Sequence, residues 1–217
     1  MAPRAWRDCE VFVFDVEGTL VDAVPPTLRC WQDTLRAGGH EVSIGALQRL
    51  SGMDGDAMLS HLLPDLGKRD RERLIKDQGE RYRAHDLPKV RPFAGVRRLF
   101  LSLAARGRQL ALATDCAKDE LHHYLAMLEI GDLLAAIACG DDVERGKPAP
   151  KLPALALARA GGASGVMIGD TPFDAEAAHK AGLAAVGLLT GGFREADLAQ
   201  AGCAAVYADI AALHAAL

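Results

Sequence analysis

Short apolar runs alternate with longer amphipathic segments along most of the chain. Glu10–Phe14, Gln109–Ala113, Ala135–Cys139, Val166–Ile168 and Ala184–Gly187 read as compact strands. Residues 95–106, 117–129, 150–160 and 174–181 carry helical periodicity between them, and Gly107, Gly131, Gly161 and Gly182 stand where post-helix glycines belong. Strands separated by helices of this length predict βαβ crossovers and a parallel sheet covered on both faces. Residues 22–90 break the rhythm. They contain no strand pattern and read as the helices Thr27–Ala37, Ile44–Leu50, Asp54–Leu63 and Lys68–His85, the last opening on a charge-dense run that suits a solvated face. The pattern therefore predicts an α/β core, residues 1–21 and 91–217, interrupted by an all-helical cap, residues 22–90. Pro88, Pro92 and Gly95 mark the return hinge.

Composition narrows the class. The chain has 217 residues, 50% hydrophobic and 25% charged, enough for a full core and unlike a disordered or low-complexity chain. Lys and Arg number 25 against 29 Asp and Glu, a net charge of −4, which supplies no bulk attraction to nucleic acid or to an anionic membrane. Five cysteines, odd in number and without a C-x-x-C pair, predict reduced thiols rather than a disulfide framework or a zinc site. Asp8 and Glu10 interrupt any secretory leader, and no apolar run is long enough to span a bilayer. A soluble cytoplasmic protein is the expectation.

Ligands of open parallel sheets bind beyond the carboxyl ends of the strands. Asp15-Val-Glu-Gly-Thr19 follows the first strand, Thr114 and Asp115 the second, and Gly169-Asp170-Thr-Pro-Phe-Asp174 the fourth. Any one of these is an ordinary turn or N-cap residue; together they bring carboxylates and a hydroxyl to one sheet edge. Grouped carboxylates repel unless a hard cation lies among them, and Mg²⁺ is typically held by one or two carboxylates with substrate phosphate and water. Gly18 permits close backbone approach, Thr19 can cap the succeeding turn, and Lys147, between Gly146 and Pro148, offers a positive side chain to phosphate.

These segments resemble the haloacid dehalogenase-like hydrolase superfamily, in particular its phosphoglycolate-phosphatase-like branch with a helical cap after the first strand. The resemblance spans the chain: Val11-Phe-Val-Phe-Asp-Val-Glu-Gly-Thr-Leu20, Arg91-Pro-Phe-Ala-Gly95, Ala113-Thr-Asp115, Gly140 to Pro150, Ile168 to Asp174, and the Thr190-Gly-Gly-Phe and Gly202-Cys-Ala-Ala-Val206 ending. It implies a Rossmann-like doubly wound core and a Mg²⁺-dependent phosphatase acting on a small phosphorylated metabolite. It also implies roles. Asp15 is the nucleophile that forms an aspartyl-phosphate, Glu17 the general acid and base, and Thr114, the backbone N–H of Asp115 and Lys147 the phosphate contacts, with Gly18 beside them. Asp15, Asp170 and the carbonyl of Glu17 hold the metal, and Asp174 is a ligand or supports one.

Departures matter as much. The family motif has Asp where this chain has Glu17; the extra methylene adds about 1.5 Å of reach. Enolase-phosphatase members carry Asp-x-Glu-Gly-Thr, so Glu is compatible with hydrolysis, while a slow or binding-only relative is the alternative. Asp115 replaces a commoner Asn or Ser and is expected to point outward and cap the helix beginning near Ala117. Lys151 reads as a surface change, and His122 and His123 as ordinary surface residues. Thr27 stands where mutases of the superfamily carry a cap histidine, which disfavours a phosphomutase, and Glu17 with Asp170 disfavours a dehalogenase. Signalling receivers also combine an acceptor Asp, a Thr, a Lys and Mg²⁺, but the helical insertion argues against one. Arg29, Met53 and Asp54 are candidate cap contacts to the substrate.

Overall fold

The structure is a computed structural model describing residues 6–217; residues 1–5, the start of the first core segment, lie outside the described residues. Six parallel strands form one sheet: β1 Val11–Phe14, β2 Gln109–Ala113, β3 Ala136–Ala138, β4 Gly165–Gly169, β5 Ala184–Leu188 and β6 Val206–Tyr207, in the order β3-β2-β1-β4-β5-β6. This is the doubly wound order, whose reversal beside the first strand opens a crevice. β6 is an addition to the expected strands; its two residues are too few for a period-two pattern.

Alternating side chains divide the core. Phe12, Phe14, Leu110, Leu112, Val166 and Ile168 face one way, onto α5 (Val96–Ala105), α6 (Lys118–Leu128) and α10 (Ile210–Ala216). Val11, Val13, Ala111, Ala113 and Met167 face the other, onto α7 (Lys151–Ala160) and α8 (Pro172–Lys180). A short α9, Glu195–Gln200, precedes β6. Four helices stand between β1 and α5: α1 Val24–Ala37, α2 Ile44–Gln48, α3 Gly55–Leu62 and α4 Lys68–His85. α1 starts earlier than its periodicity suggests, because Pro25 and Pro26 occupy the first turn, where a missing N–H costs nothing. These helices share their own apolar cluster of Val24, Leu28, Trp31, Leu35, Leu47, Met58, Leu59 and Leu74. α4 buries only Leu74, Gln78 and Tyr82, a single i, i+4, i+8 stripe, and leaves its charges in solvent. Entry and exit of the insertion run side by side, with Asp22 N–H donating to the Arg91 carbonyl and Phe93 N–H to that of Leu20.

Two local expectations change. Gly131 opens a 3₁₀ turn, and the left-handed residue closing α6 is Glu129 at φ 52°. The first turn of α6 is capped from a distance: Asp141 accepts from Lys118 N–H at 2.7 Å, the task expected of Asp115. Next to it, Asp142 accepts from Cys139 N–H at 2.9 Å and takes two bonds from Arg159, each 3.0 Å, tying the end of β3 to α7. The Arg159 bonds hold the Asp142 carboxyl well below its ordinary 3.8. A depressed acid stabilises the fold above its unfolded pKa and loses that contribution as pH falls toward the folded one. Asp142→Asn is therefore expected to cost about 1 kcal/mol at pH 7. Its difference from wild type in denaturant midpoint should shrink steadily below pH 3.8.

Among the described residues the cysteines form no disulfide; Cys9, Cys30, Cys116 and Cys139 are buried and Cys203 is half-buried. Among the described residues, no helix is long and apolar enough to cross a membrane.

Candidate active site

The register of the three central strands assembles the site. Phe14 pairs with Leu112 on β2 and with Ile168 on β4, so Asp15, Thr114 and Asp170 leave the sheet at adjacent points. Asp15 N–H extends the β4 ladder to the Ile168 carbonyl at 2.9 Å, and Thr114 N–H that of β3 to Ala138 at 3.1 Å. All three side chains are buried at the floor of a cavity of about 350 Å³ that also touches Glu17, Asp115 and Lys147.

Lys147 is the hub. Its ammonium, 1% exposed, lies 2.8 Å from Asp15 Oδ1, 2.8 Å from Asp174 Oδ1 and 3.6 Å from Asp115 Oδ2. The contact to Asp174 is an aligned hydrogen bond, whereas Asp15 Oδ1 meets the lysine as an ion pair outside hydrogen-bond alignment. The surrounding carboxylates hold the Lys147 charge on against burial. Asp174 is placed by local sequence: Thr171 and Asp174 form a capping box at the start of α8. Asp174 N–H donates to Thr171 Oγ1 at 3.2 Å, and Thr171 N–H donates to Asp174 Oδ2 at 3.0 Å. Both Asp174 oxygens are thus engaged.

Asp115 corrects the sequence expectation. Its side chain turns inward, accepting Lys147 N–H at 3.1 and 3.3 Å, and a Cβ at Gly146 would collide with the carboxylate. The α6 N-terminus is already capped by Asp141, and a glycine opposite leaves room, so the loop carrying Lys147 recruits Asp115 instead. Burial pushes Asp115 up to about 7 against the pull of Lys147.

Asp170 is fully buried, and Thr19 donates to its Oδ1 at 2.6 Å. Local pattern assigns Thr19 to a nearby turn; its partner is 151 residues away, which no local pattern can reveal. Gly18, at φ 81°, and Gly191 both press on Asp170: a Cβ at either would strike its carboxylate. Asp170 Oδ2 has no hydrogen-bond partner among the described residues. One ligand atom from each of Asp15, Asp170 and Asp174 falls within 4.8 Å of the others. Burial raises Asp15 to about 6 and pushes Asp170 well above 3.8. A buried, partnerless oxygen among carboxylates that resist ionisation is the environment a hard divalent cation relieves.

Glu17 lines the same cavity but takes its hydrogen-bond partner outside this cluster. Tyr124 Oη on α6 donates to Glu17 Oε1 at 2.8 Å, and the Tyr82 hydroxyl on α4 lies 2.7 Å from that of Tyr124. The chain of three groups joins the insertion to the residue two after Asp15. Burial, with the Glu120 charge adding to it, pushes Glu17 up to about 8. Neither tyrosine stands out in the sequence; their only signal is a hydroxyl on the buried stripe of a helix. The insertion also touches the core through Gln48 Nε2, which donates to the Gly191 carbonyl at 2.8 Å, and through Arg83, 3.2 Å from Glu120. Asp54 N–H donates to the Lys147 carbonyl at 3.4 Å while its carboxylate caps α3. Met53 lines the cavity, as does Thr27; Arg29, Lys151, His122 and His123 are exposed.

Fold and site together define a doubly wound α/β protein with a buried carboxylate cluster at the end of its first strand. The chain belongs to the haloacid dehalogenase-like hydrolases, whose family model matches residues 12–188. It is 28% identical over 212 residues to a phosphoglycolate phosphatase of Agrobacterium fabrum, covering 94% of this chain and 91% of that one. A validoxylamine A 7'-phosphate phosphatase of Streptomyces hygroscopicus is 27% identical, covering 83% of this chain and 86% of its own. The crystal structure of a hydrolase from Pseudomonas syringae superposes with a TM-score of 0.88 at 28% identity, covering 94% of this chain and 95% of that one.

Proposed function

We propose that this hydrolase is a Mg²⁺-dependent phosphatase that cleaves a small phosphomonoester metabolite through an aspartyl-phosphate at Asp15. The observation that carries the reading is the meeting of Asp15, Lys147 and Asp170 on the cavity floor. Asp15, Asp170 and the Glu17 carbonyl would hold Mg²⁺, which when bound neutralises charge on the transferring phosphoryl group. A cytoplasmic setting suits the unbridged cysteines. Residues 22–90 act as the cap, closing the cavity over the substrate.

The remaining chemistry belongs to the chain. Lys147, Thr114 Oγ1 and the Asp115 N–H bind the phosphoryl oxygens, while Asp174 and Asp115 hold Lys147 in place. An Asp15 oxygen bonds to phosphorus as the bond from phosphorus to the leaving oxygen breaks, and Glu17 gives its proton to that oxygen, releasing the alcohol. Glu17, now a carboxylate, takes a proton from a water whose oxygen attacks phosphorus. The bond to Asp15 breaks, phosphate leaves, and both side chains return to their starting states. Tyr124 takes up the additional methylene of Glu17 by anchoring Oε1.

Hydrolysis of an aryl phosphate with and without Mg²⁺ tests the reading: EDTA is expected to abolish turnover and Mg²⁺ to restore it. Persistence of a phosphoprotein with no release of phosphate would refute it. Tyr124→Phe is expected to lower kcat about tenfold with little change in KM, since the acid loses orientation and the phosphate contacts stay intact. Glu17→Asp should also slow the reaction, as the shorter acid loses Tyr124; a large gain in kcat would instead mark Glu17 as a handicap.

A further inference from the structure

Among the described residues, the insertion's side of the cavity is mainly apolar and its cations are paired or out in solvent, and we propose that it selects phosphomonoesters whose leaving group is uncharged and apolar over those bearing a carboxylate. The inference deepens the phosphatase reading and, for turnover, rests on it. The insertion lines the space with Val24, Leu28, Trp31, Met53, Met58 and Ile75, and with Thr27, Ser51, Gln78 and Tyr82 as its neutral polar members. The six apolar residues belong to one cluster, Met53 and Ile75 as half-buried members of it.

Charge completes the case. Among the described residues, the cavity is lined by the basic side chains Lys76, Arg83 and Lys147 and by the acidic Asp15, Glu17, Asp115, Glu120 and Asp170. Lys147 is held at the floor by three carboxylates, beside the phosphoryl position and away from the leaving group. Arg83 is neutralised by Glu120 at 3.2 Å, with Glu120 12% exposed. Lys76 is 74% exposed and stands 3.8 Å from Glu80, its head in water. A carboxylate on the leaving group would enter a mainly apolar space whose cations are already paired or, for Lys76, out in water, and an unpaired charge is expensive to desolvate. An apolar group there gains from leaving water. The volume, about 350 Å³, holds a phosphoryl group together with a ring-sized substituent.

Two primary alkyl esters, 2-phenylethyl phosphate and 2-phosphoglycolate, separate the alternatives. With both, kcat/KM is measured on the wild-type enzyme with Mg²⁺, and binding is measured calorimetrically on Asp15→Asn with Mg²⁺. The expected result is a preference of about tenfold to a hundredfold for the phenylethyl ester, the discrimination apolar pockets provide. Met53→Arg, a loop substitution that places a cation in the wall, is expected to narrow or reverse that ratio. Equal or tighter binding of phosphoglycolate to Asp15→Asn overturns the inference, whatever the turnover. Tighter binding of the phenylethyl ester without hydrolysis of either by wild type supports the inference and refutes the phosphatase reading alone.

Discussion

Asp15→Asn is expected to abolish ester hydrolysis, lowering kcat by about 10⁴-fold or more, because the proposed aspartyl-phosphate route would lose its nucleophile and keep only the binding apparatus. No phosphoprotein should form on the variant, and radiolabelled substrate followed by denaturing electrophoresis checks this. The substitution should leave the fold intact. Burial raises Asp15 to about 6, so its ionised form opposes folding in the metal-free protein. A raised acid contributes stability that is full below its unfolded value of 3.8 and is lost as pH rises through about 6. Asn carries no such dependence. Metal-free Asp15→Asn should therefore melt at or above wild type at pH 8, with the gap narrowing toward pH 5. Dead catalysis in a fully stable protein places Asp15 in the chemistry; a fall in melting temperature that accompanies the lost activity would assign it to structure.

Lys147→Met should injure both properties. Among the described residues, Lys147 is the one ammonium among Asp15, Asp115 and Asp174, at 2.8, 3.6 and 2.8 Å. Deleting one partner of a buried ion cluster costs about 3–5 kcal/mol, since the remaining charges stay desolvated and unpaired. A loss of that size corresponds to roughly 10 °C in melting temperature for a chain this long. Turnover should fall at least about 10²-fold, the effect of removing one preorganised contact to developing charge. Added Mg²⁺ is expected to recover part of the stability, because a divalent cation answers the same carboxylates, but not the turnover. Arginine at 147 should do no better than methionine for catalysis: its planar fork cannot reproduce a single point contact shared between Asp15 and Asp174. Unchanged melting in Lys147→Met would show that the cluster is solvated in solution and would remove the electrostatic argument for the lysine.

The contrast between these variants comes from what holds each group. Asp15 is placed by backbone, one residue past a strand locked on both sides, so its side chain can change without moving anything. Lys147 sits in a turn held by side chains, with its N–H on Asp115 and its Nζ on Asp174. The Thr171–Asp174 capping box then does two jobs, starting α8 and fixing the lysine. The same carboxylate caps α8 through one oxygen and holds Lys147 through the other.

Sequence by itself determined the α/β alternation, the helical interruption after β1 and the strand-end residues Asp15, Thr114 and Asp170. Each is encoded locally, by period, by turn residues and by the polar residues that close an apolar run. Boundaries at the insertion helices agree to within a few residues for the same reason. The tertiary structure alone decided how side chains from distant segments meet. Thr19 finds Asp170, Tyr124 and Tyr82 reach Glu17, Asp141 displaces Asp115 from the α6 cap, and Asp115 turns to the Lys147 loop. Those pairings are set by sheet order and by the docking of the insertion, and by which polar group is nearest when water leaves. A buried hydroxyl or carboxylate must take a partner, and only the packed chain specifies which one is within reach.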